Sequence, residues 1–234
     1  MIEIRNLHKH FGKVEVLDNI DLSIDAEGIF AILGPNGSGK TTLIKSILGM
    51  VIPQSGEIEV NGSSVLGQWS YRDGVSYLPQ IAQFPDNLKV SELIKMIKNL
   101  RPGAASDQEL IELFGLLPFM GKKLGNLSGG TKQKVNLVLA FMFDSPILIL
   151  DEPTTGLDPV SLIHLKELIR KEKDAGKTIL ITTHIMDFVD SMADEIVFLL
   201  EGNIYFKGTV EELKKRSAEN DLEQAIANIL SEES

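Results

Sequence analysis

Apolar and polar residues alternate at Ile2 and Ile4 and again at Ile20, Leu22 and Ile24, the period of half-buried strands. Between them Phe11-Gly12 reads as a loop and Val14 to Leu17 as a short strand. Glu27-Gly28 turns the chain into an unbroken apolar run, Ile29 to Leu33, the pattern of a strand covered on both faces. Leu43, Ile44, Ile47 and Leu48 recur at helical spacing. Pro53 to Gly56 predicts a loop, Glu57 to Val60 a strand, and Asn61-Gly62 a hairpin turn. Val75 to Leu78 predicts another strand, ending at Pro79-Gln80.

Helical periodicity then runs from Val90 to Leu100, with a break at Pro102-Gly103. Ser106 and Glu109 predict a capping box for a helix reaching Phe114. Residues 115 to 127 read as a loop with a short turn. Gly129-Gly130 opens a helix with Val135, Val138, Leu139 and Met142 on its apolar side. A second continuous apolar run, Ile147 to Leu150, ends in Asp151-Glu152. Asp158-Pro159 supplies an N-cap and a first-turn proline for a helix that Gly176 ends. Thr178 to Thr183 predicts a strand closing on His184, and Phe188 and Val189 sit in a short helix. Ile196 to Leu200 and Ile204 to Phe206 flank a turn at Glu201-Gly202-Asn203, and Thr209 and Glu212 predict a capping box. Residues 217 to 234 form an acidic tail with a short helical pattern at Leu222, Ile226, Ile229 and Leu230. The order is that of an α/β domain over residues 1–216, with a mainly helical segment, about 85–145, inserted between its strands.

Composition narrows the picture. The chain has 234 residues, 43% of them hydrophobic, enough for one large core or a core with an inserted subdomain. Its net charge of −10 argues against nucleic acid or an anionic lipid surface as the main partner. With no cysteine, disulfides, thiolate metal sites and cysteine nucleophiles are excluded. The first residues, MIEIRNLHKHFG, carry charges throughout and do not read as a signal peptide. The longest apolar stretches are far short of a membrane span, so if the protein works at a membrane, another chain must cross it.

The candidate chemistry begins between the first buried strand and its helix. Gly34, Pro35, Asn36, Gly37, Ser38, Gly39, Lys40, Thr41 and Thr42 fit G-x-x-x-x-G-K-[ST], the strand–loop–helix phosphate cradle. Such glycines let successive backbone N–H groups turn inward as a nest for phosphate oxygens, and the helix N-terminus adds its positive end. Lys40 supplies a point charge for the β- and γ-phosphates and Thr41 a hydroxyl for Mg²⁺. Asp151, ending the second apolar run, is placed as a Walker B carboxylate near that ion. Glu152 can polarise a water for attack on the γ-phosphate.

With these companions the chain resembles the ATP-binding subunit of ABC transporters. Leu127-Ser128-Gly129-Gly130 resembles that family's signature, Gln80 its Q-loop glutamine, Thr155 to Asp158 its D-loop and His184 its switch histidine. Phe11 matches the aromatic residue that stacks on adenine, with Val16 beside it in the implied nucleotide site. The resemblance spans Ile2 to about Leu213. It implies a P-loop NTPase core with a parallel sheet, an antiparallel β subdomain and an inserted α-helical subdomain. It also implies two cassettes closing head to tail on two ATP molecules. Ser128, Gly129 and Gly130 of one would then meet the γ-phosphate held by the other, with Asp158 counted among the nucleotide-binding residues. Thr41, Gln80 and Asp151 would hold Mg²⁺; Glu152, His184 and Gln80 would serve catalysis; and separate transmembrane permease subunits would dock near residues 80–100. A homodimer is expected, a heterodimer being left open, at the cytoplasmic face of the cell membrane. A soluble, non-transport ATPase, as in iron–sulfur assembly, is the alternative.

Two departures stand out: Thr131 replaces the usual fifth signature residue, Gln, with little loss of activity expected, and Phe11 replaces the commoner Tyr. No regulatory domain of the sugar-importer kind follows the core, and TVEEL at Thr209 to Leu213 looks like the exporter-type class. Leu78 to Leu88 and the signature helix are similar to cassettes associated with copper delivery for nitrous oxide reductase maturation. His8 and His10 read as a solvated pair, Trp69 and Tyr71 as packing residues, Lys122-Lys123 as a solvated loop, and Phe141, Met142 and Phe143 as core.

Overall fold

The first two strands are longer than their alternation predicts. In a computed structural model describing residues 2–101, 103–219 and 221–232, β1 (Ile2–Phe11) and β2 (Val14–Ile24) form one antiparallel ribbon closed by Gly12-Lys13. Three register shifts interrupt it, and Asn6 and Asn19 adopt left-handed φ of 47° and 48°. These bulges break the period of two, so the sequence showed one ribbon as separate fragments. Phe11 is accordingly the last residue of β1, paired with Val14, rather than part of a loop.

The chain continues through β3 (Gly28–Leu33), α1 (Lys40–Ile47), β4 (Ser55–Val60), the two-residue β5 (Ser63–Ser64) and a 3-10 turn at Ser70–Gly74. Next come β6 (Val75–Leu78), α2 (Val90–Leu100), α3 (Asp107–Leu113), α4 (Gly129–Phe141), β7 (Ile147–Asp151) and α5 (Pro159–Asp174). Then follow β8 (Thr178–Thr182), α6 (Met186–Met192), β9 (Glu195–Leu200), β10 (Asn203–Thr209), α7 (Val210–Arg216) and α8 (Leu222–Glu232). The expected break at Pro102-Gly103 falls in part outside the described residues, at Pro102, as do Asn220, Glu233 and Ser234 of the acidic tail.

The elements gather into two units, residues 1–72 with 178–234, and residues 73–177. In the first, β2-β1-β4-β5 form an antiparallel sheet. β3 pairs in parallel with β8 on one side and β9 on the other, and β10 runs antiparallel to β9. All six residues of β3 and all five of β8 are buried, as strands covered on both faces must be. The C-terminal segment closes this core: Leu222, Ile226 and Ile229 of α8 are buried with Phe198, Phe206, Val210 and Leu213.

In the second unit β6 and β7 are parallel neighbours, in register from Val75 with Ile147 to Leu78 with Leu150. Helix α4 is buried almost all round, with Val135, Leu137, Val138, Ala140 and Phe141 inside and Leu139 only half-buried. The capping box expected at Ser106 does not form: its side chain makes no cap bond, and its backbone N–H is committed to Met142 O at 2.8 Å. The box at Thr209 and Glu212 is complete, with bonds of 2.8 and 3.2 Å. Trp69 is 75% exposed and so is not the packing residue expected, whereas Tyr71 is buried and donates to Ile47 O at 3.1 Å. Among the described residues no helix is long and apolar enough to cross a membrane.

Candidate functional site

Each unit carries part of the chemistry. In the first, the loop from β3 to α1 turns through left-handed glycines at 34, 37 and 39, with φ of 145°, 85° and 102°. Two of them have no room for a side chain. A Cβ on Gly34 would lie 2.1 Å from Leu199 O, and one on Gly39 2.6 Å from Val16 O. Gly37 instead faces open space. Helix α1 starts at Gly39 with no side-chain cap and no acidic residue in its first turn. Its leading N–H groups therefore lack the side-chain acceptor that usually covers such a terminus, and anions take that place readily.

The Lys40 ammonium donates to Gly34 O at 2.7 Å and Pro35 O at 2.9 Å, lying back along the loop. Ser38 is buried, and among the described residues its hydroxyl has no hydrogen-bond partner. A buried orphan hydroxyl costs about 1–3 kcal/mol, which an oxygen-rich ligand in the loop would recover. Glycine nest, uncapped helix, lysine and orphan hydroxyl together fit a polyphosphate. Thr41 and Phe11 are exposed, Val16 is half-buried, and His184 lies exposed beyond β8. In the ribbon of β1 and β2 His8 Nδ1 lies 3.2 Å from Asp18 Oδ1, so His8 has a carboxylate neighbour.

In the second unit β7 delivers Asp151, buried at 3% exposure, and Glu152, buried at 9%. Glu152 holds a left-handed φ of 50°, a backbone conformation costly for a side-chain-bearing residue and characteristic of positions where a functional group must be aimed. Tyr77 on β6 is pushed up to about 12, first by burial and then by the charge of Asp151. Thr154, two residues beyond Glu152, is buried, and its hydroxyl has no hydrogen-bond partner among the described residues.

Helix α4 organises the loops after both strands of this unit. Ser128 is its N-cap: its Oγ accepts from Thr131 N–H at 3.3 Å and sits 2.8 Å from Thr131 Oγ1. Thr131, which differs from the usual Gln, thus touches the signature serine directly. Gln133 donates to Pro153 O at 3.2 Å and Asn136 to Pro79 O at 3.0 Å. Lys134 reaches Asp158 Oδ2 at 2.7 Å, and Asp158 caps α5 by accepting from Ser161 N–H at 2.9 Å. Asp158 is therefore held well below the usual carboxylate range, by the Lys134 hydrogen bond first and the Ser161 bonds next.

A cleft of about 280 Å³ runs between the turn at Gln80, Ile81 and Ala82, the start of α4 at Gly129 and Gly130, and the loop at Thr155 and Gly156. Sequence reasoning brought Gln80, Gly129 and Gly130 to this chemistry one by one. It missed Lys134, Gln133 and Asn136, which hold the surrounding loops and whose polar side chains on an otherwise apolar helix were the available signal.

The family model for ABC transporters matches residues 17–155. The chain belongs to the ABC transporter family, as its ATP-binding ATPase subunit. A lantibiotic transport ATP-binding protein, SrtF of Streptococcus pyogenes, is 32% identical over 232 residues, covering 97% of this chain and 96% of that one. A solved ATP-binding subunit of an ABC transporter superposes with a TM-score of 0.91 at 28% identity, covering 98% of this chain and 99% of that one. The dimeric structure of MJ0796, a bacterial ABC transporter cassette, follows with a TM-score of 0.80 at 25% identity, covering 89% and 98%. A second model, described as an AAA domain, putative AbiEii toxin, type IV TA system, matches residues 123–190. None of these supports copper delivery or the iron–sulfur alternative.

Proposed function

We propose that this ABC subunit is the motor of an exporter-type transporter, peripheral on the inner face of the cell membrane and coupled to separate transmembrane permease subunits. The lantibiotic transport relative and the exporter-like TVEEL segment support that class. We take residues 1–216 as one cassette, about 85–145 as its helical subdomain and 217–234 as a C-terminal segment. Two copies would close head to tail, a reading supported by the dimeric bacterial cassette.

The observation that carries the site assignment is the uncapped α1 N-terminus under left-handed glycines, with Lys40 and the orphan Ser38 hydroxyl. ATP with Mg²⁺ would supply an electrophilic γ-phosphoryl group there. The loop from Gly34 to Thr42 binds the phosphates through backbone N–H groups, and Lys40 exchanges its carbonyl partners for phosphate oxygens. Thr41, Gln80 and Asp151 would hold the metal ion. Glu152 accepts the proton of the attacking water, His184 orients the γ-phosphate, and Phe11 with Val16 receives the adenine. Ser128, Gly129 and Gly130 present a hydroxyl and helix-terminal N–H groups to the second cassette's nucleotide, beside Asp158.

The test is ATP turnover by the purified protein beside Glu152→Gln, with light scattering under ATP-Mg²⁺. A general base contributes about 10²–10⁴-fold, so turnover should fall at least a hundredfold while an ATP-bound dimer accumulates. Equal turnover by the two proteins would refute the role given to Glu152.

A further inference from the structure

Leu7, Lys9 and Phe11 stand at alternate positions near the end of β1, and Leu7 and Lys9 are both buried. A lysine in such a place is costly unless its charge and donors are met. Among the described residues it has no carboxylate partner. Its ammonium instead donates to Ile52 O at 2.7 Å and lies over the Phe11 ring, 4.7 Å from its centroid. Phe11 itself remains 52% exposed, so the ring is held from one side and open on the other.

The segment that Lys9 grips comes directly off the phosphate-loop helix. Gln54 ties it to the same strand end: its N–H donates to His8 O at 3.0 Å, and its side chain both accepts from His10 N–H at 3.0 Å and donates to His10 O at 3.2 Å. The aromatic residue is therefore mounted on a braced strand tip, with a buried cation beneath it.

We infer that Lys9 is a positioning residue for nucleobase recognition. Its ammonium fixes the Phe11 ring and draws π-electron density toward itself. The open face becomes less negative and stacks better on an electron-rich purine. The phenolic hydroxyl that a tyrosine would carry has no part in this. The inference rests on the proposed stacking role of Phe11.

Binding of Mg²⁺-ATP and of inorganic tripolyphosphate, each measured by calorimetry on the full-length protein, separates the roles. A cation over a ring contributes enough that Lys9→Met should weaken ATP about fivefold while leaving tripolyphosphate within about twofold. Lys9→Arg, which keeps a cation able to stack, should retain wild-type discrimination. Lys9→Gln, which keeps a donor for Ile52 without the charge, should behave as Lys9→Met and serves if that variant fails to fold. Equal weakening of both ligands would assign Lys9 to loop structure alone and overturn the inference. Unchanged ATP binding in Lys9→Met, with ATP weakened in Phe11→Ala, would overturn the brace but leave the stacking role standing. Unchanged ATP binding in Phe11→Ala would remove the stacking role, and the brace with it.

Discussion

The Lys134 ammonium of α4 lies 2.7 Å from Asp158 Oδ2, joining the signature helix to the residue that caps α5. Lys134 and the Ser161 bonds hold the Asp158 carboxyl well below its ordinary range, so the folded chain favours the charged form. A depressed carboxylate contributes stability above its unfolded value, about 3.9, and that contribution is lost as pH falls below it. Asn also caps helices well, so Asp158→Asn removes the charge and leaves the cap. The variant should melt below wild type at pH 7, and the gap should start to narrow only below about pH 4 and close as pH falls toward the depressed value of the folded chain. With 47% of the Asp158 side chain exposed, 1 M salt should shrink the gap too. Melting curves across pH and salt read both effects.

Gly130 and Gly129 look interchangeable in the sequence and are not in the fold. A Cβ on Gly130 would lie 2.6 Å from Gly156 O, whereas one on Gly129 meets nothing within 4 Å. Gly130→Ala must push the loop of Gly156 away from α4, at a cost of about 1–3 kcal/mol. For a chain of this size each kcal/mol lowers Tm by roughly 2–4 °C. Calorimetry should find Gly130→Ala lowered by several degrees and Gly129→Ala close to wild type. A drop of equal size in the two would contradict the close approach.

The sequence made the phosphate loop, the Asp151 strand and the helix starting at Gly129 legible because each rests on local chemistry. A buried parallel strand is an unbroken apolar run, and glycines mark the turns whose φ they permit. What it hid depends on distant partners. Ser106 has the local pattern of a cap, but its backbone is drawn to Met142. The ribbon of β1 and β2 looked fragmentary because bulges at Asn6 and Asn19 reset its alternation. Nothing local singles out Lys9 or Lys134, because their partners Phe11 and Asp158 are brought against them only by the fold. Trp69 erred the other way, an aromatic residue expected inside and left exposed.

Helix α8 tests whether the acidic C-terminal segment belongs to the core. Ile229 is 3% exposed and Leu222 2%, packed with Phe198 and Leu213. Truncating a buried isoleucine to alanine costs about 2–5 kcal/mol through lost transfer energy and the cavity left behind. Ile229→Ala should lower Tm by roughly 5–15 °C, whereas Glu223→Ala, on the exposed side, should change it little. If the two variants melt together with wild type, the segment contributes nothing to the fold.

Lys40 separates phosphate binding from folding. Its ammonium donates to Gly34 O and Pro35 O, so it braces the loop from which it would reach the phosphates. A ligand that binds only the folded chain adds about 2.7 kcal/mol at a hundredfold excess over its Kd, or roughly 5–10 °C in Tm. Hydrogen bonds to charged groups contribute about 1.5–3 kcal/mol each, so Lys40→Met should weaken ATP at least tenfold. At the same ATP-Mg²⁺ concentration the variant should lose most of the thermal shift. Lys45 lies one turn further along α1 and is exposed, so Lys45→Met should keep the shift whole. A shift retained in Lys40→Met would mean that the loop's backbone N–H groups suffice to bind ATP. A shift lost equally in both variants would point to the net positive charge of α1 rather than to the Lys40 ammonium.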